Sequence, residues 1–121
     1  MKLYHYSNKN IEKNISVDFF GNNSYTANDK KYQVNRSFFY ACKNIPEYHL
    51  TDCKYLYIAE IENEKIYDLK EDRENLKNKF LDITELLLYI KKKYVGILYN
   101  IGFDVVCLFE NIAIKEKIIL Q

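Results

Sequence analysis

The sequence predicts an α+β fold: a small single domain, residues 1–121, with two mainly antiparallel sheets and one or two helices. Short apolar and aromatic runs bounded by turn residues indicate several strands, whereas one segment, residues 83–94, has apolar residues at helical spacing. The connections between strand runs are short, which favours antiparallel pairing. A chain of 121 residues that is 48% hydrophobic can form one packed core.

The first strand is predicted in the opening residues, MKLYHYS. Alternate side chains of a strand share a face, so Leu3, His5 and Ser7 point one way and Tyr4 and Tyr6 the other. The first of these faces changes from apolar to polar along the strand, which indicates a strand that leaves a core and enters a cleft. A lone histidine in a strand is more often structural than catalytic, but the serine on its face makes His5 a candidate site residue.

The remaining elements follow from β-branched and aromatic runs and from helix-start signals. Strands are predicted at residues 36–41, 55–61, 65–69, 95–101, 103–109 and 117–120. A helix is predicted to start at Pro46, and the charged residues 70–80 are also predicted to be helical. The clearest helix follows Asp82, because Asp82 and Glu85 form a pattern close to a capping box.

Charge and cysteine usage exclude several classes of function. Eighteen basic and 17 acidic residues give a net charge of +1, which provides no general attraction to nucleic acid or membrane. No apolar run approaches the roughly 20 residues that span a bilayer, and the N-terminus lacks a signal-peptide pattern. Cys42, Cys53 and Cys107 have no CxxC spacing, and His5 and His49 are too few for a metal triad. A reducing, cytoplasmic location and no metal are therefore expected.

One acidic residue stands beside an apolar strand. Residues 103–109 are apolar on both faces except for Asp104, so this strand is predicted to be covered on both sides. A carboxylate buried there without partners costs on the order of several kcal/mol. Asp104 therefore lies in solvent at the end of the strand, capping a turn, or has partners and a function. Glu110, at the far end of the same strand, is the rival carboxylate and ranks lower because a turn is predicted next to it.

The strand at residues 36–41 combines a cation with aromatic rings. Arg36, Phe38 and Tyr40 share one face, and Ser37 and Phe39 share the other. Flat aromatic surface beside a guanidinium suits a ligand with a ring and a phosphate. The competing interpretation is an aromatic core with a surface arginine.

Three blocks together resemble the ADP-ribosyltransferase fold in its His-Tyr-acid branch. The first is residues 3–7, in which a hydroxyl residue follows the histidine two positions on. The second is the aromatic run at residues 36–41. The third comprises residues 94–97, residues 104–109 and Ile112, and is similar to the closing strands of that family, in which an acid begins a run of Val and Phe.

The resemblance implies NAD as the cofactor and a role for each matching position. His5 would hydrogen-bond the adenine-side ribose, and Ser7 would help to hold the nicotinamide half. Phe39 or Tyr40 would stack on the nicotinamide ring. Asp104 would bind the nicotinamide ribose and stabilise the cationic sugar as nicotinamide leaves, which is sound chemistry because a fixed carboxylate stabilises an oxocarbenium-like charge.

Two further residues complete the predicted NAD site. Arg36 supplies a cation, and Tyr25 lies in the polar run of residues 22–26, which suits a ligand loop and is equally typical of a turn. The predicted catalytic residues are Asp104, His5 and Tyr40. The predicted cofactor-binding residues are His5, Ser7, Arg36, Phe39, Tyr40 and Tyr25.

The activity that the resemblance implies is NAD-dependent mono-ADP-ribosyl transfer to a protein target. Small members of the family occur as toxins, as phage modifiers of host proteins and as anti-CRISPR proteins that modify a Cas subunit. A phage or mobile-element origin and a host or defence target are therefore expected. The alternative is a non-catalytic protein of the same fold that inhibits a host or defence complex by direct binding, with Tyr4, Tyr6 and Tyr25 as anchors. A nucleic-acid-binding module is disfavoured by the neutral charge.

Overall fold

A computed structural model describes residues 1–17, 34–42 and 53–120. The strands and helices of these residues are, in chain order, β1 (Lys2–Ser7), β2 (Asn14–Ile15), β3 (Ser37–Tyr40), β4 (Tyr55–Glu60), a 3-10 helix (Asn63–Lys65), β5 (Ile66–Asp68), α1 (Leu76–Lys79), α2 (Ile83–Lys93), β6 (Gly96–Asn100), β7 (Asp104–Leu108), β8 (Ile112–Ala113) and β9 (Glu116–Ile119).

Within the described residues, one seven-stranded sheet has the order β5-β6-β7-β3-β1-β4-β9, and β2 pairs with β8 in a separate two-stranded sheet. Every pairing is antiparallel except that of β5 with β6. The predicted α+β class is confirmed. The sequence did not predict β2 and β8, because two residues are too few to show an alternating pattern.

The seven-stranded sheet is strongly curled. In a flat sheet β4 and β5 would be about 24 Å apart, because five strand spacings separate them. Residues 61–65 join these two strands, and a linker of that length spans only about 20 Å when fully extended. Three of its residues form a 3-10 helix, which shortens the span further. The sheet must therefore curve so that one of its faces is concave.

The concave side, which we call the inner face, carries its own apolar cluster. Buried residues from six of the seven strands and from β2 meet there, as the curvature requires. They are Leu3, Ile15, Phe39, Tyr57, Ala59, Ile66, Leu98, Val106 and Leu108. Segments outside the large sheet also pack against this cluster, among them Ile11, Ile112 and Ile114.

On the opposite, outer face the helices cover the part formed by β5, β6 and β7. Leu86, Leu87 and Ile90 of α2 pack with sheet residues such as Ile97 and Cys107. The N-terminus of α2 is capped by Asp82, whose Oδ1 accepts a hydrogen bond of 3.0 Å from the backbone N–H of Thr84. The predicted amphipathic helix and its cap are confirmed.

The predicted helix over residues 70–80 is mostly wrong, because α1 has only four residues. Asp72 and Asn75 have φ values of 49° and 56°, which interrupt a right-handed helix. The Asp72 carboxylate instead accepts a 2.8 Å hydrogen bond from the backbone N–H of Leu76, a local bond that competes with helix formation. The helix start predicted at Pro46 lies outside the described residues.

Candidate functional site

The three sequence blocks that are distant along the chain form neighbouring strands. β3 lies between β1 and β7 in the sheet. Tyr4 of β1 is paired with Tyr40 of β3, and Tyr40 is paired with Val105 of β7. The fold therefore places the histidine block, the aromatic block and the acidic block side by side.

His5 lies on the inner face between two aromatic rings. Its ring centroid is 5.3 Å from that of Phe39 and 6.3 Å from that of Tyr57. Nδ1 lies 2.7 Å from the backbone carbonyl oxygen of Phe38. Because a carbonyl only accepts hydrogen bonds, Nδ1 carries the proton and Nε2 of the neutral ring is an acceptor. Burial lowers the pKa of His5, and the bond to the Phe38 carbonyl opposes this effect more weakly.

We expect the free energy of unfolding to fall as the pH decreases below about 6.5, the usual pKa of histidine in an unfolded chain. The folded state resists protonation of His5, so the unfolded state binds more protons in this range. Urea denaturation at pH 7.5, 6.0 and 5.0 measures the decline. The variant His5→Gln is expected to show a shallower decline. An equal decline in the unsubstituted protein and in His5→Gln would mean that folding does not lower the pKa of His5.

Two serines on the inner face are buried next to His5. Ser7 Oγ accepts a 3.0 Å hydrogen bond from the backbone N–H of Lys9. Ser37 is 4% exposed, and its Oγ has no hydrogen-bond partner among the described residues. Ser37 is paired with Leu108 of β7. The register that pairs Tyr4 with Tyr40 also places Ser37 opposite Ser7. We call His5, Ser7 and Ser37 the inner polar row. Ser37 is not among the site residues that the sequence predicts.

The two aromatic candidates of β3 point to opposite faces. Phe39 is fully buried on the inner face with His5. Tyr40 lies on the outer face, where its ring is 5.9 Å from that of Tyr6 and 5.5 Å from that of Phe103. The expectation that Tyr40 faces the same cleft as His5 is wrong. The strand register decides this, because Tyr40 pairs with Tyr4 and shares its side of the sheet.

Asp104 lies at the beginning of β7, on the inner side of the sheet but at its solvent-exposed end. Its Oδ2 is 2.8 Å from Nζ of Lys70, and its Oδ1 accepts a 2.9 Å hydrogen bond from the Asn100 amide. The bonds from Lys70 and Asn100 lower the pKa of Asp104. Asp104 is therefore accessible to solvent and also has two side-chain partners. Two strand spacings and a two-residue offset separate it from His5, about 12 Å between Cα atoms.

The two remaining predicted residues do not join the inner polar row. Arg36 precedes β3, and its Nη1 donates a 2.9 Å hydrogen bond to the backbone carbonyl of Val34. Strand alternation places Arg36 with Tyr40 toward the outer face. Tyr25 lies outside the described residues. The structure thus brings together His5, Ser7 and Phe39, and leaves Tyr40 and Arg36 on the other side.

An open cleft of about 550 Å³ lies where the start of β1 and the end of β4 come close to the end of β7 across the curled sheet. It is lined by residues from several strand ends, by the linker after β4 and by the chain after β7. They are Met1, Glu60, Ile61, Glu62, Lys65, Val95, Leu108, Glu110, Asn111, Ile112 and Lys115. Glu110, the rival carboxylate, is exposed in this cleft and forms no hydrogen bond or ion pair with the described residues. Asp104 does not line it.

The other charges of the cleft are partly neutralised. Lys115 Nζ is 3.0 Å from a carboxylate oxygen of Glu60, and this bond lowers the pKa of Glu60. The N-terminal ammonium of Met1 donates a 2.8 Å hydrogen bond to the carbonyl of Ile61. Leu108 lines the cleft and is also the β7 residue paired with Ser37. The cleft therefore lies next to the Ser37 end of the inner polar row.

Comparisons with family models, with curated proteins and with solved structures find no match to this chain. No helix in the described ranges is long and apolar enough to cross a membrane. Among the same residues, no group of three or more His, Cys, Asp or Glu side chains is arranged to hold a metal ion. The fold and site thus define a small α+β protein with a polar row on a concave sheet face and an open cleft beside it that carries charges of both signs.

Proposed function

We propose that this protein transfers ADP-ribose from NAD to a protein target. The observation that carries the proposal is the adjacency of β1, β3 and β7, which puts His5, Ser7 and Phe39 on one concave face. His5 then holds the adenine-side ribose and Ser7 the nicotinamide half. Phe39, rather than Tyr40, stacks on the nicotinamide ring, because it shares the face of His5.

The transfer needs a carboxylate near the reacting sugar. The glycosidic bond between C1 of the nicotinamide ribose and the ring nitrogen breaks, and its electron pair leaves with nicotinamide. A nucleophilic side chain of the target then bonds to C1 and releases its proton. A carboxylate close to C1 stabilises the positive charge that develops on the sugar between these events.

Two carboxylates are candidates for this role. Asp104 is the residue that the sequence resemblance implies, but the Lys70 ammonium already neutralises part of its charge. Glu110 is favoured by a different observation, because it is unpaired within the described residues and lines the cleft together with Leu108, the strand partner of Ser37. Substitution at both positions is needed to distinguish them.

The decisive experiment measures nicotinamide release from NAD and labelling of lysate proteins by ADP-ribose. We expect Asp104→Asn or Glu110→Gln to lower release by about 100-fold or more, the size of effect that follows loss of one charge-stabilising group. If only one of the two variants loses activity, the residue replaced in that variant is the carboxylate that stabilises the sugar. Glu116→Gln, at an exposed position of β9, is the matched control. Undetectable release by the unsubstituted protein, or full activity of both variants, contradicts the proposal.

A second candidate function is inhibition of a host or defence complex by binding alone. The observation that favours it is a patch of partly buried aromatic side chains on the outer face, an arrangement common at interfaces. The patch consists of Tyr4, Tyr6, Phe38, Tyr40 and Phe103. Capture of a partner that survives His5→Gln and Glu110→Gln, and that is lost in Tyr4→Ala, supports this candidate over the enzyme.

A further inference from the structure

Residues 8–17, which we call the strap, run from the end of β1 across the inner face. Ile11 and Ile15 of the strap pack into the inner-face cluster with Phe39 and Tyr57. The backbone N–H of Ile11 donates a 2.7 Å hydrogen bond to the Tyr57 hydroxyl, and that hydroxyl donates to the carbonyl of Lys9 at 2.5 Å. The strap therefore lies directly over the ring that neighbours His5.

The polar groups beneath the strap are unusual for a packed interior. Ser7 and Ser37 are 6% and 4% exposed, and Ser37 Oγ has no partner among the described residues. A buried hydroxyl without a partner costs free energy, so each such group in a protein needs an explanation. A ligand that supplies the missing hydrogen bond is one explanation. Because Ser37 is buried, a ligand reaches its hydroxyl only if a segment over the inner face moves, and the strap packs on the neighbouring Phe39.

The backbone of the strap is attached to the segment after β7 by a short ladder and two further hydrogen bonds. A two-residue ladder joins β2 to β8, with Asn14 opposite Ala113. The N–H of Val17 donates to Oδ1 of Asn111 at 2.9 Å, and the N–H of Ile114 donates to the carbonyl of Lys13 at 2.9 Å. β1 and β4, in contrast, are paired along six residues. Side-chain contacts add to these bonds, since Asn8 Oδ1 accepts a 3.1 Å hydrogen bond from the N–H of Lys54 and both Asn10 and Glu12 contact Lys117. Because its backbone ladder has only two residues, the strap opens at a lower free energy than the central strands.

We propose that the strap is a cover that opens to expose a nucleotide-binding surface on the inner face, and that the Ser37 hydroxyl hydrogen-bonds the bound nucleotide. This proposal rests on the proposed function for the identity of the nucleotide, NAD. It assigns Ser37 as a binding residue and the β2–β8 ladder as the latch. Opening exposes His5, Ser7, Ser37 and Phe39 together.

A disulfide across the latch tests the cover. Asn14 and Ala113 are both exposed and are cross-strand partners, whose Cα atoms lie within the range that a disulfide tolerates. Asn14→Cys and Ala113→Cys are combined in full-length protein in which Cys42 and Cys53 are replaced by serine. NAD affinity is measured by calorimetry in the oxidised and reduced forms, with each single cysteine variant as the control. Hydrogen exchange of the Ile11 and Ile114 amides is measured in parallel without NAD.

We expect the reduced protein to bind NAD and the oxidised protein to bind at least 10-fold more weakly, with full recovery on reduction. The Ile11 and Ile114 amides should exchange faster than the β1 and β4 amides in the reduced protein and slow down when the disulfide forms. Equal NAD affinity in both redox states overturns the proposal that the strap is a cover. Exchange of these amides only together with the central strands also overturns it. Opening seen by exchange without any NAD binding supports the cover and contradicts the proposed function.

Ser37→Ala tests the binding role of the hydroxyl separately. We expect NAD affinity to fall about 5-fold to 10-fold, the loss that corresponds to one net hydrogen bond. The midpoint of urea unfolding should stay the same or rise, because the variant removes an unpartnered buried polar group. Unchanged NAD affinity in Ser37→Ala overturns the assignment of Ser37.

Discussion

Replacing Phe39 by alanine is expected to lower the free energy of unfolding by about 3–5 kcal/mol, the typical cost of removing a buried aromatic side chain. Phe39 is fully buried in the inner-face cluster, where it contacts the central strands. β3 lies in the middle of the seven-stranded sheet, so the surrounding backbone has little freedom to close the cavity. Urea denaturation followed by circular dichroism measures the loss.

Phe38→Ala is the matched control for this prediction. Phe38 is the preceding residue of the same strand and has the same side chain, but it lies on the outer face and is only partly buried. We expect a clearly smaller loss of stability for Phe38→Ala than for Phe39→Ala. Equal losses would mean that the inner face is not the better-packed side of the sheet at β3.

Gly96→Val is expected to destabilise the protein by about 3 kcal/mol or more, as overpacking in a core does when the backbone has to move. A Cβ atom at this position would lie 2.5 Å from the backbone oxygen of Cys107. It would also lie 2.7 Å from Cδ2 of Leu108 and 2.9 Å from Cδ1 of Ile66. The side chains can shift slightly, whereas the Cys107 carbonyl belongs to β7 and is fixed in the sheet. The midpoint of thermal unfolding measures the effect.

Gly102→Ala separates this steric cost from the cost of losing a glycine. Gly102 has a φ of +104°, but a Cβ atom there meets no atom within 4 Å. Its substitution strains only the local backbone, at a cost of roughly 1–2 kcal/mol. A larger loss in Gly102→Ala than in Gly96→Val would contradict the close approach of β6 and β7.

Much of the secondary structure could be predicted because its signals are local. The strand at residues 55–61 and the helix after Asp82 appear in the structure within a residue or two of their predicted bounds. The division of the first strand into two faces is also confirmed, since His5 contacts Phe39 while Tyr6 contacts Tyr40. Alternation and capping depend on neighbouring residues, so one segment of sequence contains the information.

The candidate site could be predicted only in part. In the structure, His5, Ser7 and Phe39 share a face. Alternation within β3 shows that Phe39 and Tyr40 lie on opposite faces, but not which of the two shares the face of His5. That depends on the register between β3 and β1. The ion-pair partner of Asp104 is Lys70, 34 positions away in the chain. A contact between residues so distant in sequence leaves no local pattern.

The sequence by itself determined where the strands of the large sheet and the main helix form and which side chains alternate along each strand, because these properties follow from backbone geometry and nearest neighbours. Only the tertiary structure decided which strands are adjacent and how far the sheet curls. It also decided that residues 8–17 pack on Phe39 and Tyr57 of the inner face and that Ser37 Oγ has no partner among the described residues. The physical reason is that pairing register, curvature and burial depend on the packing of segments that are distant along the chain.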